Sequence, residues 1–179
     1  LHNVETLYNV SLVAKEKYEN MRFYTVGGRA EKPGVYKLSA KLTAAEVLRQ
    51  TNNYPSFNFF AQIGGGASGP IWNQDQLEKN PAAGTGSIEI YPSDTPAHII
   101  LKQWFKFYME ESCGKCAPCR QGTYELYQQI KNVKDDTEID WQELISIVET
   151  LEETAFCDLG RSLAVPFKTY RQNVLDISS

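Results

Sequence analysis

The spacing of apolar residues changes twice along this chain, and each change predicts a different kind of element. In residues 3–19, Val4, Leu7, Tyr8, Ser11 and Leu12 fall at helical spacing and Lys15, Lys17 and Glu19 make a polar end, which predicts one helix. From 21 to 93 the pattern is strand-like. Arg22–Val26 is rich in strand formers and stops at Gly27-Gly28, Lys32-Pro33-Gly34 signals a turn, and Val35–Leu38 alternates as the return strand of a hairpin. Thr43 with Glu46 reads as a capping box opening a short helix through Arg49, ended by Asn52, Asn53 and Pro55. Phe59–Ile63 and Ser87–Tyr91 read as two more strands, with residues 67–86, rich in Gly, Pro, Asn and Ala, as a long loop between them.

From Thr95 the rhythm becomes helical again. Thr95-Pro96 reads as an N-cap and first helical residue, followed by Ile99, Ile100, Trp104, Phe107 and Tyr108 on one face. Arg120–Lys134 carries Tyr124, Tyr127 and Ile130 at threefold steps, which assigns both tyrosines to a helical core. Thr137 and Asp140 resemble a helix start before Trp141, Leu144, Ile145, Val148 and Leu151. Pro166 suits the first turn of a last helix bearing Phe167, Tyr170 and Val174. Four helices are therefore expected after residue 95, and the fold class is α+β.

Composition narrows the class. The chain has 179 residues, 42% hydrophobic, enough for one large or two small packed domains. A formal charge of −4 with no basic patch argues against nucleic acid as a partner. The longest apolar stretch, 97–109, holds His98, Lys102, Gln103 and Lys106 and is too short and too charged to span a bilayer. The first residue, Leu1, is not Met, which suggests a fragment or a processed product.

The chemistry lies in the cysteines. Cys113, Cys116 and Cys119 form a C-x2-C-x2-C run, and Cys157 follows far downstream, so the pattern uses all 4 cysteines of the chain. Four thiolates from two loops suit a [4Fe–4S] cube, which takes one sulfur ligand per iron. Structural zinc is the alternative, although its thiolates usually come as two C-x2-4-C pairs. Disulfides suit secreted proteins, and three cysteines two residues apart pair poorly with one remote partner. Reduced thiols fit the cytoplasm or the reducing side of a membrane. Gly114 allows a tight backbone path, Pro118 is expected to keep Ala117 extended, and Lys115 and Arg120 are either charge partners of the site or solvated helix-end residues. The run Gly64–Gly69 lacks the Lys-Ser/Thr ending of a phosphate loop and reads as a turn. His2 and His98 read as structural residues, and Glu5 and Glu46 as helix-start residues.

The segment Glu-Ser-Cys-Gly-Lys-Cys-Ala-Pro-Cys-Arg-Gln-Gly at 111–122, with Cys-Asp-Leu-Gly at 157–160, resembles the NADH-binding flavoprotein subunit of respiratory complex I. Related subunits occur in NAD-reducing and bifurcating hydrogenases and in formate dehydrogenases. Residues 21–93 are similar to the family's β-grasp (SLBB-like) module through Val26-Gly27-Gly28, 32–36 and 64–69, and Asn-Val-Glu-Thr-Leu at 3–7 resembles the stretch that follows its flavin domain. The resemblance implies three parts: a linker helix at 1–20 from a flavin domain absent from this sequence, a β-grasp module at 21–94, and a helical [4Fe–4S] domain at 95–179. It implies that Cys113, Cys116, Cys119 and Cys157 ligate a [4Fe–4S] cluster that takes electrons from reduced FMN. It places Asn3 and Leu159 near FMN; His2 stands where the family usually has a second Asn, and Asp158 is an unusual residue beside Leu159. FMN and NAD(H) would belong at or near the absent domain. A thioredoxin-like [2Fe–2S] subunit, and a flavin/NADH domain on the same or another chain, are the implied partners. Two further functions stay open from the sequence: a non-redox β-grasp ligand- or protein-binding module with a structural four-cysteine metal site, and a stand-alone adaptor or relay.

Overall fold

The computed structural model describes residues 2–66 and 68–176. Its first element is helix α1 (Val4–Ala14), capped by Asn3, whose Oδ1 accepts the Glu5 N–H at 2.8 Å. The helix is shorter than the 3–19 expected. Glu16 takes φ 55°, its N–H bonds to Val13 O, and the Lys17 N–H bonds back to Leu12 O at 2.9 Å. This double bond is a Schellman stop, normally built on glycine, so a glutamate in that position hid it.

Five strands form one mixed sheet: β1 (Met21–Gly28), β2 (Gly34–Ser39), β3 (Phe59–Ile63), β4 (Ile71–Trp72) and β5 (Ser87–Pro92), in the order β2-β1-β5-β3-β4. The hairpin β1–β2 is antiparallel with Tyr24 opposite Tyr36, β1 and β5 run parallel, and β3 is antiparallel to both β5 and β4. Helix α2 (Ala44–Gln50) opens on the expected capping box, Thr43 Oγ1 accepting the Glu46 N–H and Glu46 accepting the Thr43 N–H at 2.8 Å. The architecture is a β-grasp sheet followed by a helical domain, as expected.

The stretch expected as a long loop is more ordered than that. It contains β4 and helix α3 (Gln74–Lys79), which opens on a second capping box between Asn73 and Gln76 and buries Leu77 completely. The two residues of β4 are held on both edges. On one side they pair with Ala61 and Gln62; on the other, Thr169 Oγ1 accepts the Ile71 N–H at 2.9 Å and Asn173 Nδ2 donates to Ile71 O at 2.7 Å. The Gly64–Gly69 run makes the β3–β4 turn, Ala67 lying outside the described residues.

After the sheet come α4 (Ala97–Glu111), α5 (Ala117–Ile130), α6 (Trp141–Thr154), α7 (Asp158–Ser162) and α8 (Ala164–Asn173). The four long helices match expectation in number, with the short α7 added. Several details differ. Pro96 is the N-cap residue of α4, and the cap comes from outside: both carboxylate oxygens of Asp136 accept the amides of Ala97 and His98, at 2.8 and 2.9 Å. Thr95 bonds Pro92 O instead. Thr137 lies in a 3-10 turn, and Asp140 caps α6. Tyr124 is half exposed and Tyr127 only partly buried, because the inward face of α5 is Gly122, Thr123, Leu126 and Ile130. Phe107 and Ile99 also face outward, Leu101 and Phe105 taking the inner positions of α4.

Both faces of β3 are buried, and four of its five residues are apolar, Gln62 being the exception. Phe59, Ala61 and Ile63 join the core under α2 and α3, while Phe60 joins the helical core with Tyr91, Trp104 and Tyr170. Gln62, fully buried, donates to Gly69 O at 3.1 Å and accepts the Trp104 indole N–H at 3.2 Å. Its polar atoms are thus satisfied across the junction of sheet and helices.

Candidate metal centre

The cysteine loop connects the end of α4 to the start of α5. Ser112 ends α4, its N–H bonded to Tyr108 O at 3.1 Å. Gly114 takes φ +69°, a left-handed conformation that glycine adopts readily. Its carbonyl accepts Arg120 Nη1 at 2.8 Å. Arg120 therefore clamps the loop, whereas Lys115 is exposed and without a polar partner among the described residues. Cys116 is the extended N-cap residue of α5, and Ala117 is already helical. That corrects the expectation for Ala117: a proline in the first turn needs no N–H there, and the extended residue moves one place earlier.

Cys157 arrives from the end of α6 and is the N-cap residue of α7. Ala155 before it is buried, and its carbonyl accepts Arg161 Nε at 2.7 Å; Phe156 is 82% exposed. Leu159 packs against the helical core, and its carbonyl accepts Ser162 Oγ, itself 2.9 Å from the Tyr108 hydroxyl.

The four thiols converge. Cys119 lies within electrostatic reach of Cys113, Cys116 and Cys157. Cys116 and Cys119 are buried, Cys113 and Cys157 exposed, and all four are free thiols. The Phe156 amide, followed by that of Cys119, faces Cys116 and holds its thiol below the usual range. The cap itself carries no side-chain hydrogen bond, so the Cys119 amide acts as an aligned dipole. Burial pushes Cys119 up, with the Ser112 hydroxyl opposing and the other three cysteines adding to the rise. The N-terminus of the 14-residue α5 turns its positive end toward these sulfurs. Among the described residues, no group of three or more His, Cys, Asp or Glu side chains is placed to hold a metal ion. Four soft donors with amide dipoles beside them suit a thiolate-ligated centre.

Asn3 is not among these contacts. It caps α1, which borders Phe23 and Lys37 of the sheet. Sequence reasoning missed the parts played by Ser112, whose Oγ lies 3.3 Å from Cys119 Sγ, and by Gly160, whose backbone packs against Cys119. A hydroxyl residue adjoining a ligand run was the available signal for the first. The second follows from packing alone.

Fold and site together define an α+β protein whose helical half brings four free thiols near one another. Residues 99–175 match the family described as the NADH-ubiquinone oxidoreductase-F iron-sulfur binding region. The F subunit of the NADH-quinone oxidoreductase of Mycobacterium bovis is 26% identical over 193 residues, covering 93% of this chain and 43% of that protein. NADP-reducing hydrogenase subunit HndC of Solidesulfovibrio fructosivorans is 25% identical, covering 93% of this chain and 39% of its own. A crystal structure of NAD+-reducing [NiFe]-hydrogenase in the H2-reduced state shares the fold, with TM-score 0.80 at 19% identity over 96% of this chain and 32% of that one. The resemblance read from 111–122 and 157–160 is borne out. The chain spans less than half the length of these relatives.

Proposed function

We propose that this chain is the electron-transfer segment of a flavin-dependent NADH dehydrogenase subunit, with Cys113, Cys116, Cys119 and Cys157 as the ligands of a [4Fe–4S] cluster. The observation that carries the reading is the convergence of all four thiols within the segment that matches the iron–sulfur region. When bound, the cluster supplies one-electron transfer between FMN, which accepts a hydride from NADH, and a chain of one-electron carriers. The chain's own residues prepare the place. The amides at Cys116 favour its thiolate, Gly160 and Ala155 pack the inner side, and Arg120 and Arg161 fix the two loops. Burial of Cys116 and Cys119 with exposure of Cys113, Cys157 and Phe156 leaves one edge of the centre at the surface, where a redox partner can approach.

In this reading residues 1–20 link to a flavin domain, 21–94 form the β-grasp module and 95–179 the cluster domain. Leu159 and Asn3 lie on the FMN side. The partners are the flavin/NADH domain, on the same or another chain, and a thioredoxin-like [2Fe–2S] subunit. The whole is an NADH:acceptor oxidoreductase, placed in the cytoplasm or peripherally on the reducing side of a membrane. No described helix is long and apolar enough to cross a bilayer.

A second reading, a β-grasp binding module with a structural metal site, has one observation in its favour. An open cleft of about 460 Å³ lies between residues 28–31 and 53–57, lined by Arg29, Glu31, Tyr54 and Phe57. Anaerobic iron and acid-labile sulfide analysis, with EPR after dithionite reduction, separates the two. About four irons and four sulfides with a reduced-cluster signal support the electron relay. Zinc, or no redox-active metal after reconstitution, supports the binding module.

A further inference from the structure

We propose that Ser112 is a positioning residue that raises the redox potential of the four-cysteine centre by donating a hydrogen bond to the sulfur of Cys119. The inference rests on the [4Fe–4S] reading of that centre. Ser112 ends a 15-residue helix, and its N–H is tied to Tyr108 O, so its hydroxyl is presented from a fixed turn. Its Oγ lies 3.3 Å from Cys119 Sγ.

The direction of that bond follows from the surroundings. The Gly114 N–H donates to the same oxygen at 3.3 Å and occupies one of its lone pairs. A ligand thiolate has no proton to give, so the hydroxyl is the donor. The loop cannot easily swing away, because Arg120 holds the Gly114 carbonyl at 2.8 Å. Cys119 is 4% exposed, so water does little to screen its sulfur. Reduction adds one electron and one negative charge to the centre; the hydroxyl proton stays on Ser112, and no bond is made or broken. A donor to sulfur stabilises the more negative, reduced state the more, and so raises the potential.

The test is an EPR-monitored redox titration of the intact protein and three variants, with iron and sulfide measured on each. Ser112→Ala and Ser112→Val should shift the midpoint potential to more negative values at unchanged iron content. Ser112→Thr, which restores the hydroxyl at the volume of Val, should return the potential toward that of the unmodified protein. Equal potentials in the Thr and Val variants would overturn the proposal. So would loss of the cluster from both hydroxyl-free variants with Ser112→Thr intact, because the contact would then be structural only. Absence of iron and sulfide from the unmodified protein is a different result, and it defeats the cluster reading itself.

Discussion

A single absent methyl group shapes the inner wall of the cysteine centre. A Cβ on Gly160 would lie 2.6 Å from the Ala155 Cβ and 3.4 Å from Cys119 Sγ. The first distance is a clash with a buried side chain, and relief would push α7 away from the sulfurs. Gly160→Ala should therefore cost about 1–3 kcal/mol and lower iron content, read by thermal unfolding and metal analysis. Cys157→Ser should leave three thiolates and a centre that loses iron; full iron content in that variant would remove Cys157 from the ligand set. Asp136 works at the same scale. Burial raises its carboxyl, but the amides of His98 and Ala97 and the His98 ring, 2.6 Å away, outweigh burial and hold it below the usual range. A depressed carboxyl contributes stability that is present above its unfolded value of about 3.9 and disappears as pH falls through the folded value. Asp136→Asn should thus cost about 0.5–2 kcal/mol at neutral pH, as lost caps do, and should flatten the acid limb of the stability profile. A melting series from pH 7 to pH 3 checks both parts.

At the scale of elements, local signals and long-range ones divide cleanly. α2 and α3 each begin on a reciprocal capping box, a pattern complete within four residues. β4 is the opposite case. Two residues make no strand by propensity, and this one exists because β3 pairs with one edge while Thr169 and Asn173 of α8 take the Ile71 N–H and C=O on the other. Thr169→Val keeps the shape and removes the acceptor. It should cost about 1–3 kcal/mol, the penalty of an unpaired buried amide, and speed hydrogen exchange at Ile71. Unaltered exchange there would mean that the β3 pairing alone holds the strand.

At the scale of the molecule, the sheet serves two cores at once. Phe59, Ala61 and Ile63 face α2, and Phe60 and Gln62 face α4 and α8, so the β-grasp module and the helical part share β3 as a common wall. The aromatic contacts Phe60–Tyr91 at 5.5 Å and Trp104–Tyr170 at 5.8 Å run along that wall. The cysteines lie at the ends of α4 and α6 and at the start of α5, helices that join the core on this wall. α1 buries no residue and leaves Val4, Leu7, Val10 and Val13 exposed. The chain covers 43% of its mycobacterial relative. Supplied with FMN and NADH, the 179-residue chain alone should give no appreciable turnover, by an NADH-oxidation assay; clear diaphorase activity would contradict the proposed division of labour.

Sequence by itself determined what depends on near neighbours. The hairpin, the strand at Phe59–Ile63, the capping box at Thr43 and the helical rhythm after residue 95 are set by contacts a few residues apart or by a periodicity of 2 or 3.6. The C-x2-C-x2-C run was legible for the same reason, since its spacing is a local property. Tertiary structure alone decided the rest. It turned Tyr124 outward, because the inward face of α5 carries Gly122, which packs against Leu151 and Ile147 of α6. It built β4 from the side chains of α8, and it capped α4 with Asp136 from 39 residues away. It also put Gly160 against Cys119. Each of these is a contact between segments distant in sequence, where a side chain's role is set by what the fold brings next to it.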